Sequence, residues 1–129
     1  MSDKVSLGKL STGVQGLDVL LGGGLSEFSF NLIAGPPGSG KTTLAHQIMF
    51  SIATTERRAL FFTVLGEPPL KMLRYQQQYS FFDMQKVGTA VRYVNLAEDL
   101  RAGDFSTVLA RMMKEVEDFA PSLVFCVGE

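Results

Sequence analysis

The residues with the clearest chemical potential form the segment Gly35-Pro36-Pro37-Gly38-Ser39-Gly40-Lys41-Thr42. It matches the pattern G-x4-G-K-[S/T], in which the backbone N–H groups of a tightly curled loop surround a string of phosphates. Glycines at 35, 38 and 40 permit the backbone angles that such a curl requires. These residue types at this spacing predict a cradle for the polyphosphate of a nucleotide.

Two side chains at the end of this segment would complete the chemistry. Lys41 is placed to reach the outer phosphates as a point charge, and the Thr42 hydroxyl is placed to ligate Mg²⁺. Thr43 stands with them at the start of a helix, whose N-terminal N–H groups and dipole also favour anions. We therefore expect residues 35–43 to bind ATP and Thr42 to hold Mg²⁺. The alternative is a Gly/Pro turn that joins a strand to a helix and binds nothing.

The elements on either side of the segment support the first interpretation. The apolar run Ser29–Ala34 reads as a buried strand, since it is short and ends at Gly35 and two prolines. The stretch Lys41–Ala53 has apolar residues at helical spacing on one side, which predicts a helix packed on a sheet. A strand that feeds such a loop, followed by a helix, is the context in which a phosphate cradle occurs.

The rest of the chain alternates in the same way. We predict strands at Ala59–Val64, Val91–Leu96 and Leu123–Val127, and helices at Pro69–Gln78 and Ser106–Phe119. Asp104 or Ser106 is the candidate N-cap of the last helix, and its methionines are expected to fill the core. Strands that alternate with helices predict an α/β fold with a parallel sheet covered on both faces.

Four other side chains have less specific interpretations. His46 is expected to be a partly exposed helix residue without a catalytic role. Tyr75 and Tyr79 are candidates for base stacking, with packing or an interface contact as the alternative. Cys126 lies in the apolar run LVFCV, which favours a buried and unreactive thiol.

Composition excludes few classes of function. The chain has 129 residues and a net charge of −1, from 12 basic and 13 acidic residues. A balanced charge does not favour nucleic acid or a membrane surface as partner. One cysteine cannot form an intrachain disulfide, and no apolar run approaches the roughly 18 residues of a membrane span. These features favour a cytoplasmic protein.

Two further stretches narrow the family. The segments LSTGVQGLDVLLGGGL and ALFFTVLGEPPLKMLRYQQQYSFFD resemble KaiC-like ATPases of the RecA superfamily, and the resemblance extends from about Lys9 to the end of the chain. It implies a P-loop NTPase with a RecA-like three-layer α/β/α fold and one domain over residues 1–129. It also implies ATP binding in ring-shaped assemblies, with roles in clock or signalling regulation, while other relatives act in DNA recombination.

The same resemblance assigns Glu67 as the acid after the second strand, which orients or deprotonates the attacking water, and gives Lys41 a catalytic role. Family members often carry two adjacent acids at this point, whereas Gly66-Glu67-Pro68 supplies one. The alternative is that Glu67 only favours the start of the next helix through its charge.

The last run departs from the family pattern. In PSLVFCVGE, Val127 stands where the family has the Asp that holds magnesium through water. Glu129 would point to the same side of a strand but lies roughly 6.6 Å further along. We therefore expect nucleotide binding with impaired turnover.

The resemblance also implies the strand order 3-2-4-5-1, and strand 5 falls beyond this sequence, so the domain is expected to be incomplete on its C-terminal side. Either strand 4 pairs with strand 1, or open edges remain and favour self-association. A homo-oligomer, or an assembly with a full-length homologue, is the expected partner arrangement. Two alternatives to an ATPase remain, a non-enzymatic interaction module and a recombination-type DNA-dependent ATPase.

Overall fold

The computed structural model describes residues 8–35, 40–63 and 69–128. Several predicted site residues therefore lie outside the described residues: Pro36, Pro37, Gly38, Ser39, Glu67 and Glu129. The C-terminal half of the cradle, with Gly40, Lys41, Thr42 and Thr43, lies within them, as does Gly35.

The described residues form six strands, five α-helices and one 3₁₀ turn. The strands are β1 (Lys9–Leu10), β2 (Leu25–Ser26), β3 (Ser29–Ala34), β4 (Ala59–Thr63), β5 (Val91–Asn95) and β6 (Leu123–Gly128). The helices are α1 (Leu17–Leu20), α2 (Lys41–Ile52), α3 (Pro69–Gln76), α4 (Ala97–Ala102) and α5 (Phe105–Phe119), with a 3₁₀ turn at Met84–Lys86.

The four longer strands form one parallel sheet in the order β3-β6-β4-β5. β6 lies between β3 and β4, so that Leu32 and Phe62 both pair with Cys126. The predicted α/β class is confirmed. Of the two arrangements expected for the last strand, the described residues adopt the one in which it pairs directly with the first strand of the sheet.

One face of the sheet is covered by α2. Ala45, Ile48 and Met49 of this helix are buried against Phe61 and Phe125, which point to the same side of their strands. Aromatic and branched side chains in alternate strand positions produce this apolar face. The packing fixes the start of α2 at the carboxyl edge of the sheet.

The opposite face carries α5, which begins at Asp104. The Asp104 carboxylate accepts a hydrogen bond of 3.0 Å from the Thr107 amide, so Asp104 rather than Ser106 is the N-cap. The hydrogen bonds that Asp104 accepts from Thr107, that from its amide first, lower the pKa of Asp104. The helix ends at Ala120, which has a φ of 50°, and Pro121 follows.

Burial on this face differs from the prediction. In β3 the side chains of Phe30 and Leu32 are exposed, and the residues on the other side of the strand, which faces α2, are half-buried. Met112 packs against the core, but Met113 and Leu109 are largely exposed. The expectation that β3 is wholly buried and that the α5 methionines all fill the core was wrong, because α5 leaves the β3 part of the sheet uncovered.

The segment before β3 is held together by Asp18. Its carboxylate accepts hydrogen bonds from the Thr12 amide (2.8 Å), the Thr12 hydroxyl (2.7 Å) and the Ser11 hydroxyl (2.6 Å). The hydrogen bond from Ser11 lowers the pKa of Asp18 most, and the two from Thr12 lower it further. Gly24 has a φ of 131° and leaves no room for a Cβ beside the Leu10 carbonyl, so the short β1–β2 pair requires glycine there.

Within the described ranges, no helix combines the length and the apolar character that crossing a bilayer requires.

Candidate nucleotide-binding site

The described half of the cradle is the turn that leads into α2. Gly40 has a φ of 83°, in the left-handed region that favours glycine, and it occupies the N-cap position without a side chain to cap the helix. Its carbonyl accepts the first helical hydrogen bond, from the Leu44 amide at 2.9 Å. The amides of Lys41, Thr42 and Thr43 precede that bond, and the first turn of a helix has no intrahelical acceptors for its N–H groups.

A cavity of about 250 Å³ lies against this turn. It is lined by Gly40, Lys41, Thr42, Thr43 and Tyr75. The structure therefore brings three of the predicted binding side chains together at the carboxyl edge of a parallel sheet, where α/β proteins bind their ligands.

The charges at this helix terminus suit an anion. The first turn of α2 contains no acidic residue, so its partial positive charge is not neutralised from within the helix. Lys41 adds a full positive charge at the same point. A polyphosphate therefore fits the donor set that the described residues provide.

Tyr75 of α3 also lines the cavity, and this residue is 58% exposed. Its ring contacts that of Tyr79 edge-on, with centroids 6.0 Å apart, and the two hydroxyl oxygens are 3.4 Å apart. Tyr79 instead stacks on Phe81, with centroids 5.3 Å apart. Of the two tyrosines that the sequence offered, Tyr75 lines the cavity and Tyr79 supports it.

His46 is fully buried, which corrects the expectation of partial exposure. The Nδ1 atom of its ring lies 2.7 Å from the carbonyl oxygen of Thr42, and burial lowers its pKa to about 4. Sequence reasoning missed this contact, although a signal existed. Residues 42 and 46 are separated by four positions, which places them on one face of a helix.

The side of the cradle where a metal-binding acid was expected is apolar. Val127 of β6 pairs with Ile33 of β3 and is only 8% exposed. Among the described residues, no group of three His, Cys, Asp or Glu side chains is arranged to hold a metal ion. The predicted metal ligand Thr42 lies within the described residues.

The neighbouring end of β4 also presents a polar atom. The hydroxyl of Thr63 is buried and has no hydrogen-bond partner in the part of the chain that the structure describes. Thr63 is the last residue of β4, so this hydroxyl lies at the same edge of the sheet as the start of α2. A buried hydroxyl without a partner fits an edge where a ligand or its water supplies one.

Cys126 is half-buried rather than fully buried. Desolvation raises the pKa of its thiol, which keeps it protonated and agrees with the predicted low reactivity.

Two larger cavities lie away from the cradle. One, of about 590 Å³, is formed by α4 and the start of α5, and its Arg111 is paired with Asp99 at 3.4 Å and with Glu115 at 3.2 Å. The other is an apolar groove of about 510 Å³ between α5 and the side of the sheet that carries Phe30 of β3 and Phe62 of β4. Glu98 and Asp99 line the first of these cavities, and mostly apolar side chains line the second, so neither suits a polyphosphate as the cradle does.

A parallel sheet whose first long strand leads through a G-x4-G-K-T segment into a helix defines a P-loop protein of the α/β class. The profile of the family described as "ATPase: KaiC" matches residues 10–124 of the chain. The chain belongs to the KaiC ATPase family.

Individual relatives agree with this assignment. The DNA repair protein RadA of Mycobacterium tuberculosis is 36% identical over 113 residues, which cover 88% of this chain and 21% of the relative. The DNA repair and recombination protein RadA of Metallosphaera sedula is 38% identical over 56 residues, 43% of this chain and 17% of the relative. The chain thus spans about a fifth of the length of the curated relatives it matches.

Proposed function

We propose that residues 35–43 bind the triphosphate of ATP and that the chain, as one domain over residues 1–129, acts as an ATP-binding module. The observation that carries the proposal is the described start of α2. There Gly40, Lys41, Thr42 and Thr43 line one cavity at a helix terminus without acidic residues. Gly35 follows β3 directly, and residues 36–39 would complete the loop, with the amides of Gly38 and Ser39 among its donors.

Lys41 and Thr42 have distinct roles in this proposal. The Lys41 ammonium group would neutralise the charge on the outer phosphates. The Thr42 hydroxyl would contribute one oxygen ligand to Mg²⁺, which when bound neutralises charge that develops on the phosphate oxygens. Tyr75, which also lines the cavity, would stack on the nucleotide base.

We further propose that Glu67 orients the attacking water or accepts its proton, as the family resemblance implies. Its position between β4 and α3 puts it after a strand that ends at the same sheet edge as the cradle. The alternative function, favouring the N-terminus of α3 by its charge, predicts that a Glu67→Gln variant loses helix stability and no activity.

Turnover is proposed to be slow. Val127 supplies no oxygen where the second anchor for magnesium is expected, and it is buried in the sheet. A metal held by one protein hydroxyl has little to fix its geometry during phosphoryl transfer.

Calorimetric titration with ATP and with ADP, each with and without Mg²⁺, tests the proposal. We expect saturable binding of both nucleotides, with less than about a threefold gain in affinity from Mg²⁺ because Thr42 alone holds it. No heat of binding at millimolar nucleotide would refute the binding function. Turnover at about the median enzyme rate, on the order of 10 per second, would refute the slow-turnover part alone.

A second candidate function is a non-enzymatic interaction module, and the uncovered apolar surface favours it. Leu32 (63% exposed) on β3 and Phe105 (78% exposed), Leu109 and Met113 on α5 are all outwardly accessible. Within the described sheet β3 has one strand neighbour, so its other edge offers unpaired backbone groups. Sedimentation alone and with a full-length relative tests for a homo-oligomer or a mixed assembly, and a monomer in both experiments counts against this function.

A DNA-dependent ATPase is the third candidate, and the names of the RadA relatives favour testing it. The net charge of −1 counts against this candidate. Of the described arginines, Arg58 lies over the Phe119 ring and Arg92 pairs with Glu115 at 3.6 Å. A salt-dependent mobility shift with single-stranded DNA would support this candidate. Absence of a shift at low salt would exclude it for this chain.

A further inference from the structure

We propose that His46 is a positioning residue that holds the first turn of α2 in place for phosphate binding. The inference rests on the proposed ATP-binding function, because it needs a ligand on that turn. It concerns a side chain that does not line the cavity, and which acts through the backbone of Thr42.

The hydrogen bond between the two residues fixes the state of the imidazole. The Thr42 carbonyl oxygen can only accept, so the Nδ1 atom of His46, at 2.7 Å, carries the proton and donates it. The Nε2 atom is then an acceptor. It is buried and has no hydrogen-bond partner among the described residues.

The ring is held on three sides by aromatic neighbours. Its centroid lies 5.1 Å from that of Phe61 on β4 and 5.6 Å from that of Tyr93 on β5, with the Tyr93 ring nearly parallel to it. Phe50, one helical turn further along α2, stacks at 6.3 Å. Because Phe61 and Tyr93 are paired positions of adjacent strands, His46 ties the first turn of α2 to two strands of the sheet.

Stability alone does not account for a histidine at this position. A buried acceptor without a partner costs about 1–3 kcal/mol, and a leucine or phenylalanine would fill an apolar site without that cost. The imidazole donates a hydrogen bond to the Thr42 carbonyl, which an apolar side chain could not do. Residues that oppose stability are expected where function requires them.

Loss of the hydrogen bond to Thr42 would affect the groups at the start of α2, which are the amides of Lys41, Thr42 and Thr43 and the Lys41 side chain. If the first turn shifts along the sheet, its donors no longer converge on one phosphate string. Displacements of about 1 Å can cost a hundredfold in well-oriented sites. We expect a smaller effect here, because the helical hydrogen bonds of α2 remain when the imidazole is removed.

The test compares three variants by their affinity for inorganic triphosphate, which probes the cradle without the base. His46→Leu removes the donor and keeps the bulk, whereas His46→Asn keeps an amide donor near the Nδ1 position. Phe50→Leu is the matched control, since it weakens the same aromatic cluster without touching Thr42. We expect His46→Leu to bind about three- to tenfold more weakly, and His46→Asn and Phe50→Leu to stay within about twofold of the wild type.

Nuclear magnetic resonance of the wild type adds a readout that does not depend on any variant folding. The chain has one histidine, so its imidazole ¹⁵N signals are unambiguous. We expect the Nδ1–H tautomer in the free protein and a change in the Nδ1 shift on saturation with triphosphate. An Nε2–H tautomer, an unmoved signal, or equal losses in His46→Leu and Phe50→Leu would overturn the inference.

The outcomes also separate this inference from the function on which it rests. If the wild type binds neither triphosphate nor ATP, the binding function fails and the positioning role falls with it. If the wild type binds and His46→Leu binds equally well, only the positioning role is refuted.

Discussion

Val127 lies directly opposite Ile33 in the parallel ladder between β6 and β3, with its side chain buried beside the strand that leads into the cradle. This pairing puts an apolar group where a metal-binding carboxylate was expected. It also makes the position testable by substitution.

We expect Val127→Asp to destabilise the protein by about 3 kcal/mol in the absence of metal, because a buried charge without a partner is costly. Mg²⁺ together with ATP should restore part of that loss by binding to the folded state only. Thermal melts with EDTA, with Mg²⁺ and with Mg²⁺ and ATP measure the effect. The matched control is Val127→Asn, because asparagine has the shape of aspartate without its charge. An equal response of both variants to Mg²⁺ would contradict the prediction.

Lys41→Ala should weaken ATP binding at least tenfold. The reason is that Lys41 lines the cavity, and its ammonium group would meet the most highly charged part of the ligand. Calorimetry gives the affinity and urea unfolding gives the stability. As a control, Lys114→Ala removes a positive charge from the exposed part of α5, away from the cavity lining. Equal losses of affinity in the two variants would show that the cradle is not the binding site.

Tyr75→Ala should weaken ATP binding by about 5- to 100-fold, since stacking of a base on an aromatic ring contributes about 1–3 kcal/mol. Tyr75→Phe keeps the ring and should bind within about twofold of the wild type, although it loses the hydroxyl contact with Tyr79. Affinity for inorganic triphosphate should not change in either variant. A parallel loss for triphosphate and ATP would mean that Tyr75 shapes the cradle and does not contact the base.

The pH dependence of stability should carry the signature of His46. Its pKa is lowered by burial from the usual 6.5 to about 4, so the folded state binds this proton less readily than the unfolded chain. The neutral ring therefore does not oppose folding above pH 6.5, and stability is lost progressively as the pH falls from about 6.5 towards 4. The loss amounts to about 3 kcal/mol at most.

Urea unfolding at several pH values, for the wild type and His46→Phe, measures this loss. Asp18 and Asp104 have pKa values that hydrogen bonds lower, so their contribution to the stability of the folded state also falls as the pH falls. This loss is the same in both proteins. The difference between the two curves therefore isolates the histidine. Parallel curves between pH 7 and pH 4.5 would contradict the burial of a neutral imidazole.

Leu109→Gln combined with Met113→Gln should abolish self-association while changing stability by less than about 0.5 kcal/mol per site, because both side chains are exposed. Sedimentation over a range of concentrations provides the measurement. Lys114→Gln, on the same helix, is the control. A double variant that associates as the wild type does would exclude this surface as the interface.

The sequence alone predicted the elements because each depends on local pattern. The apolar run at Ser29–Ala34, the helical spacing after Lys41 and the Gly–Lys–Thr turn between them all act within a few residues. The strands and helices that were predicted begin and end within about two residues of the expected bounds, whereas β1, β2 and α4 were not predicted. Residues 36–39 and Glu67 lie outside the described ranges, so their roles remain predictions.

The tertiary structure decided which faces of those elements are covered. Helical spacing predicted a buried face for α5 as for α2, and an apolar run predicted a buried β3, yet Leu32 and Met113 are exposed, because α5 leaves the β3 part of the sheet uncovered. The tertiary structure also determines the burial of His46, because Phe61 and Tyr93, which cover its ring, lie on strands distant in the sequence. Local patterns specify backbone geometry, whereas burial is a property of neighbours that only the packed chain brings together.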